Sequence, residues 1–170
     1  MFNNRAIDFP PLGNPWILGL ASAELLRPDQ VDDLVALLGD GDRFEEALPD
    51  TVLQWCHSVS QANSQFFRFR IEGVLQPDEP RVVQWEAGGS STDLDLGITA
   101  ESSTRKLVSI LVLAVEGEGV EFQVERTGRS VPAAHGSFVT FPAYSSVRCL
   151  GTGDVRVTAL AAHAVGPAFT

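Results

Sequence analysis

Two carboxylates stand two residues apart, at Asp93 and Asp95, a few residues after a Gly88-Gly89 turn. An aliphatic and β-branched run from Arg105 to Leu113 follows, so the pair is predicted to lie where a strand enters a sheet. Alone, an Asp-x-Asp pair suits a hard, oxygen-preferring cation such as Mg2+ or Ca2+, and holds it weakly. The plainer reading makes Asp93 and Asp95 turn and strand-end residues paired with Arg105 or Lys106, as surface carboxylates commonly are. Other chemistries lack their residues: the chain has no Ser-His-Asp ordering, no phosphate-binding glycine loop and no Cys/His zinc spacing. Cys56 and Cys149 are far apart and read as buried free thiols, neither of them a nucleophile. His57 falls beside a helical apolar stripe and reads as a structural histidine.

The elements that must position the pair follow from periodicity. Pro28 and Asp29 open a helix with Val31, Leu34, Val35 and Leu38 on one face before Gly39. A second helix starts near Asp50, with Val52, Trp55, Cys56, Val59 and Ala62 along its stripe. The short apolar stretch Trp16 to Leu20, behind a proline-rich lead, reads as an edge strand. From Phe67 to Gly73, and again from Arg81 to Glu86, the period becomes two, with a turn between them over Gln76 to Pro80. Beyond Asp95 the chain reads as strand and turn: Leu107 to Val115, Val120 to Glu125, Ser137 to Phe141, Ser146 to Leu150 and Val155 to Val165. Two helices followed by several short strands predict a mainly β fold, a double-stranded β-helix (jelly-roll, cupin-like) core buttressed by two N-terminal helices. A single domain over residues 1–170 is expected, with the lead and support helices in 1–64 and the β core in 65–170.

Composition narrows the partners. At 170 residues the chain is long enough to bury a sizeable core, and no apolar run approaches a membrane span. A formal charge of -10 repels a phosphate backbone, and no Lys/Arg stripe offsets it, so neither nucleic acid nor membrane is an expected partner. The first residues lack the basic start and apolar block of a secretory signal, which makes a cytoplasmic location the expectation.

Several segments share one further pattern. Asn63 leads into the Phe67–Gly73 segment, Gln84-Trp85 ends a strand before the glycine turn, and Arg105-Lys106-Leu107 opens the next. Gly117 to Phe122, Gly136 to Pro142 and Gly166 to Phe169 follow in order. From about Leu25 onward, and most closely after Asn63, the chain resembles the prolyl hydroxylase-type 2-oxoglutarate/Fe(II) oxygenases; its closing residues resemble one bacterial branch. The resemblance implies a facial triad, His-x-Asp plus a distal His, whose open positions take 2-oxoglutarate and O2. It places Asp93 at the first His, Asp95 at the carboxylate and Val147 at the distal His, with Arg148 beside it. Arg156-x-Thr158 resembles the anchor of the 2-oxoglutarate carboxylate, although counting back from Gly166-Pro167 puts Val157 there. His163 falls where the family often carries Trp.

Three functions compete on these residues. In the first, the barrel persists as a small-molecule pocket without iron: Asp93, Asp95 and Arg156 serve as acid, base and anion clamp. Trp85, Arg105, Val147, Arg148, Thr158 and His163 line the pocket, and no metal or cofactor is expected. In the second, the chain is an active oxygenase using Fe(II) and 2-oxoglutarate, with His135 or His163 as the missing ligand. In the third it is an assembly protein that forms a homodimer through its outer face. The first reading further expects Asp93, Asp95, Val147 and Arg156 to converge at one mouth of the barrel.

Overall fold

The computed structural model describes residues 20–45, 47–99 and 103–168. Helix is concentrated before residue 68 and strand after residue 80. The order is β1 (Ala21–Glu24), α1 (Pro28–Leu38), α2 (Asp50–Ala62), β2 (Arg81–Glu86), β3 (Arg105–Val124), β4 (Ser130–Pro132), β5 (Ser137–Pro142) and β6 (Val147–Val165). All strand pairs are antiparallel, in the order β1-β5-β3-β6-β2, with β4 beside β3. This is the expected jelly-roll backed by two helices. The expected edge strand at Trp16 to Leu20 lies almost wholly outside the described residues, and the outer strand is β1 instead.

Each helix forms where its apolar spacing allows one buried face. Pro at the first position and Asp29 in the first turn favour the start of α1, which buries Val31, Leu34 and Leu38. Val35, expected on that face, is exposed, so the buried stripe is narrower than its apolar residues imply. On α2, Val52, Trp55 and Val59 are fully buried against Leu107, Leu111, Phe138 and Leu160 of the sheet, and Ala62 is buried as well. Trp55 Nε1 donates to Ser109 Oγ at 2.9 Å, and Thr140 Oγ1 meets the same hydroxyl at 3.0 Å, which satisfies the polar atoms of this layer.

The alternating Phe67–Gly73 segment is not a strand. The chain leaves α2 through a π-helical turn, Asn63–Phe67, and Arg68 takes a left-handed φ of 56°. The Asn63 side chain then occupies both backbone groups of Phe69, accepting from its N–H at 2.9 Å and donating to its O at 2.8 Å. With those groups taken, the ladder starts only at Gly73, through a single bridge to Val165.

Strands predicted as separate pieces are continuous: β3 and β6 pair along nearly their whole length, from Arg105↔Val165 to Val124↔Val147. From Lys106 to Leu113 every residue of β3 is buried, because helices cover one face and the barrel interior the other. From Val120 to Val124 burial alternates, since only the inner face is covered. β6 repeats the pattern in reverse. The ladder slips between Glu116 and Glu121, where both strands turn from one layer into the other. Gly117 sits there at φ +109°, and a Cβ on it would lie 3.1 Å from Val155 Cα. Across the ladder, a Cβ on Gly151 would lie 3.0 Å from Val155 Cγ2 and 3.1 Å from Glu118 O.

Gly117→Val is therefore expected to cost about 2 kcal/mol or more in urea unfolding, from strain and crowding together. Gly73→Ala, with open space around its Cβ and no positive φ, should stay within about 0.5 kcal/mol of the parent. Equal losses at the two positions would show that the crossing does not need its glycine.

Candidate functional site

The barrel interior is a packed apolar core. Trp85, Leu96, Phe122, Val147, Cys149 and Val157 are all fully buried in one cluster, with Trp85 edge-on to Phe122 at 5.2 Å between ring centroids. Burial pushes the Cys149 thiol up to about 11, and the Cys56 thiol likewise to about 11, so both stay protonated near neutrality. Trp85 Nε1 is buried without a hydrogen-bond partner. An indole nitrogen is a donor only, so the one orphaned side-chain polar atom among the described residues cannot ligate a cation.

The Asp-x-Asp pair faces the other way. Residues 91–95 form a turn in which Asp93 and Asp95 are exposed, while Leu94 and Leu96 point into the core. Asp93 closes a reciprocal turn with Ser90: its Oδ2 accepts from Ser90 N at 3.1 Å, and its N–H meets Ser90 Oγ at 3.3 Å. Asp95 takes a left-handed φ of 55°, and its side chain, 76% exposed, lies 3.9 Å from Arg105 Nη1. These are the turn and strand-end roles of the plainer sequence reading. Val147 is close in backbone, since Ser91 N donates to Val147 O at 2.7 Å and Ser91 Oγ accepts from Val147 N at 3.0 Å. Its side chain nevertheless points inward, so the expected convergence with the two aspartates fails in direction rather than in place.

Arg156 does not join them. On β6 it alternates with Val155 and Val157, which are buried, so its guanidinium lies on the outer face with half-buried Thr158. Val157, reached by counting back from Gly166-Pro167, is the inward-facing residue. Arg148 is half-buried and donates twice to Gln123 Oε1, at 3.0 and 2.8 Å. Arg156 instead stands between Glu86 of β2 and Glu116 of β3 in the ladder. With Ala87, Gly153, Asp154 and Val155 these residues line an open groove of about 510 Å³.

A second set of polar groups gathers beside the 91–97 segment. His163 is fully buried between Glu79 and the 91–97 segment: Nδ1 lies 2.5 Å from Glu79 Oε2, and Nε2 lies 2.9 Å from Leu96 O. Glu79 and the Leu96 carbonyl thus engage both ring nitrogens. Glu79 Oε1 also accepts from Gln76 N at 2.9 Å and His163 N at 2.8 Å. Burial alone would push the Glu79 carboxyl up; the hydrogen bond and charge of His163, helped by those backbone N–H groups, outweigh it and hold the carboxyl below the usual range. Arg81 donates to Leu94 O, and Arg105 to Gln76 Oε1, Asp95 O and Gly97 O. Glu79 and Arg81 were missed in the sequence, where Glu79 reads only as part of a polar turn.

His135, the other candidate ligand, is exposed in the turn before Gly136. Among the described residues no three His, Cys, Asp or Glu side chains are grouped so as to hold a metal. Nor is any helix there long and apolar enough to cross a membrane.

Because folded Glu79 is more acidic than unfolded glutamate, its contribution to stability is present above the unfolded pKa and is lost as pH falls through the lower, folded one. Glu79→Gln is expected to cost about 1–3 kcal/mol at pH 7 and to flatten the loss of Tm on acidification. An unchanged acid limb in thermal melts from pH 7 to pH 3 would remove Glu79 from that role.

No protein-family model matches the chain, and no curated protein matches its sequence. Solved structures do. A Pseudomonas putida prolyl-4-hydroxylase superposes with a TM-score of 0.59 at 16% identity, over 91% of this chain and 96% of the other. The viral collagen prolyl hydroxylase of Paramecium Bursaria Chlorella virus-1, in its 2OG complex, gives 0.52 at 11% identity, over 86% and 97%. At these identities the likeness establishes architecture, and the chain has the fold of the prolyl hydroxylases.

Proposed function

We propose that this chain is a non-oxygenase on a prolyl hydroxylase fold, a small-molecule-binding protein or a catalyst of non-oxidative, metal-independent chemistry. One observation carries the reading: the positions matched to the metal ligands and the co-substrate anchor point in different directions and offer no shared set of donors. Asp93 and Asp95 face solvent, Val147 and Val157 present alkyl groups to a filled interior, and Arg156 lies on the outer face. Iron in a facial triad needs imidazole and carboxylate donors converging on one point. The residues present do not fit Fe(II), and the inward Val157 does not fit the 2-oxoglutarate carboxylate.

The alternative, an active Fe(II)/2-oxoglutarate hydroxylase, needs a replacement imidazole. His163 has both ring nitrogens engaged, by Glu79 and by Leu96 O, and His135 is exposed in a turn. The outer groove supports the binding reading better. The groove is open and polar, and Arg156 flanked by Glu86, Glu116 and Asp154 suits a zwitterion: an anionic group for the guanidinium and a cationic group for the carboxylates. In this reading Arg156 keeps the anion-clamp role, outside the barrel.

Anaerobic Fe(II) titration is expected to give no stoichiometric complex, and incubation with 2-oxoglutarate and O2 no succinate. Stoichiometric iron with turnover would overturn the proposal. Small amino-acid zwitterions screened by thermal shift should include binders whose shift is lost in Arg156→Ala and kept in Asp95→Asn, each variant within about 0.5 kcal/mol of parental stability.

A further inference from the structure

Carbonyl oxygens of a surface turn ordinarily meet water. In residues 94–97 four successive carbonyls are held instead by side chains from the sheet. Arg81 Nη2 donates to Leu94 O at 2.9 Å, and Arg105 Nη1 donates to Asp95 O at 2.8 Å and to Gly97 O at 2.9 Å. His163 Nε2 takes Leu96 O at 2.9 Å. These side chains come from β2, β3 and β6, so three strands grip one short segment. The segment's own backbone bonds are few: Asp95 N to Thr92 O at 3.2 Å and Leu96 N to Ser91 O at 3.0 Å, with Ser91 N tied to Val147 O. Its side chains Leu94 and Leu96 pack into the interior cluster that also holds Cys149.

We propose that residues 91–97 are a lid over the barrel interior, kept shut by this carbonyl clamp and hinged at the Gly88-Gly89 turn. Gly88 has a φ of +77°, and the turn is bonded on both sides to Cys149: Gly88 N donates to Cys149 O at 2.8 Å, and Cys149 N to Gly89 O at 2.9 Å. Lifting the lid withdraws Leu94 and Leu96 from the core and opens a path to the interior beside Cys149. Arg105 is the main catch, since one guanidinium nitrogen holds two carbonyls and a second nitrogen is fixed by Gln76 Oε1 at 3.0 Å. The inference goes beyond the proposed non-oxidative function and stands without it, because it concerns only how the buried Cys149 thiol is reached from solvent.

The test uses the full chain carrying Cys56→Ser, which leaves Cys149 as its one thiol. An aromatic disulfide reagent under native conditions reports how often the interior is reached. Arg105→Ala is expected to raise the labelling rate of Cys149 roughly tenfold, with faster amide exchange at Asp95 and Leu96 and unchanged exchange at Ile110 and Leu160. Arg81→Ala, which removes a single carbonyl contact, gives a smaller rise and serves if Arg105→Ala does not fold. Labelling that is unchanged in the folded variants overturns the lid. So does a rise matched by equal loss of protection at Ile110 and Leu160, because the thiol is then reached by global unfolding.

Discussion

The pairing of β3 with β6 along nearly their whole length is the constraint on which the other elements depend. Between them the two strands belong to both layers of the jelly-roll, so each must be apolar on two faces in one half and on a single face in the other. Their crossing sets where β2 and β5 can dock, which outer face α1 and α2 can cover, and how much room remains inside. The glycines at the crossing make this possible: Gly117 on β3 and Gly151 on β6 leave the space that the β6 residue Val155 fills.

Filling that interior has a chemical result. A barrel used for catalysis keeps polar groups pointing inward and some volume free; here the inner positions of β2, β3, β5 and β6 are mostly aliphatic or aromatic. The polar side chains are displaced to the margins. One group, Glu79, Arg81, Arg105 and His163, is spent on holding backbone atoms. Another, around Arg156, stands in an open groove on the outer face. The first is built like a structural network, with its acceptors satisfied by named donors. The second is open to solvent, which is why the proposed binding site lies on the outside of the barrel.

The architecture was readable because burial left strong periodic marks. Leu107 to Leu113 is nearly continuous in apolar residues and Val120 to Val124 alternates, and both patterns survive in the folded chain. Phe67 to Gly73 misled because its alternation is real while its backbone groups are claimed by Asn63, an interaction across six residues that periodicity does not register. The site was less legible. Placing Asp93, Val147 and Arg156 in a frame requires knowing which way each side chain turns, and the left-handed backbone at Asp95 and the alternation around Val157 decide that. Glu79 was invisible for a different reason: its partner His163 lies 84 residues away.

The turn at residues 91–95 also bears on what building a metal triad on this backbone would require. Imidazoles placed at positions 93 and 147 would stand on opposite sides of the same backbone, one in solvent beside Ser90 and one within the core. Bringing them to a common point requires the turn to slip by one residue, which would expel Leu94 and Leu96 from their packing and release the carbonyls they carry. With leucines in the inward positions, each imidazole introduced singly costs stability before any metal can offset it, so a triad here takes a concerted change rather than a pair of substitutions.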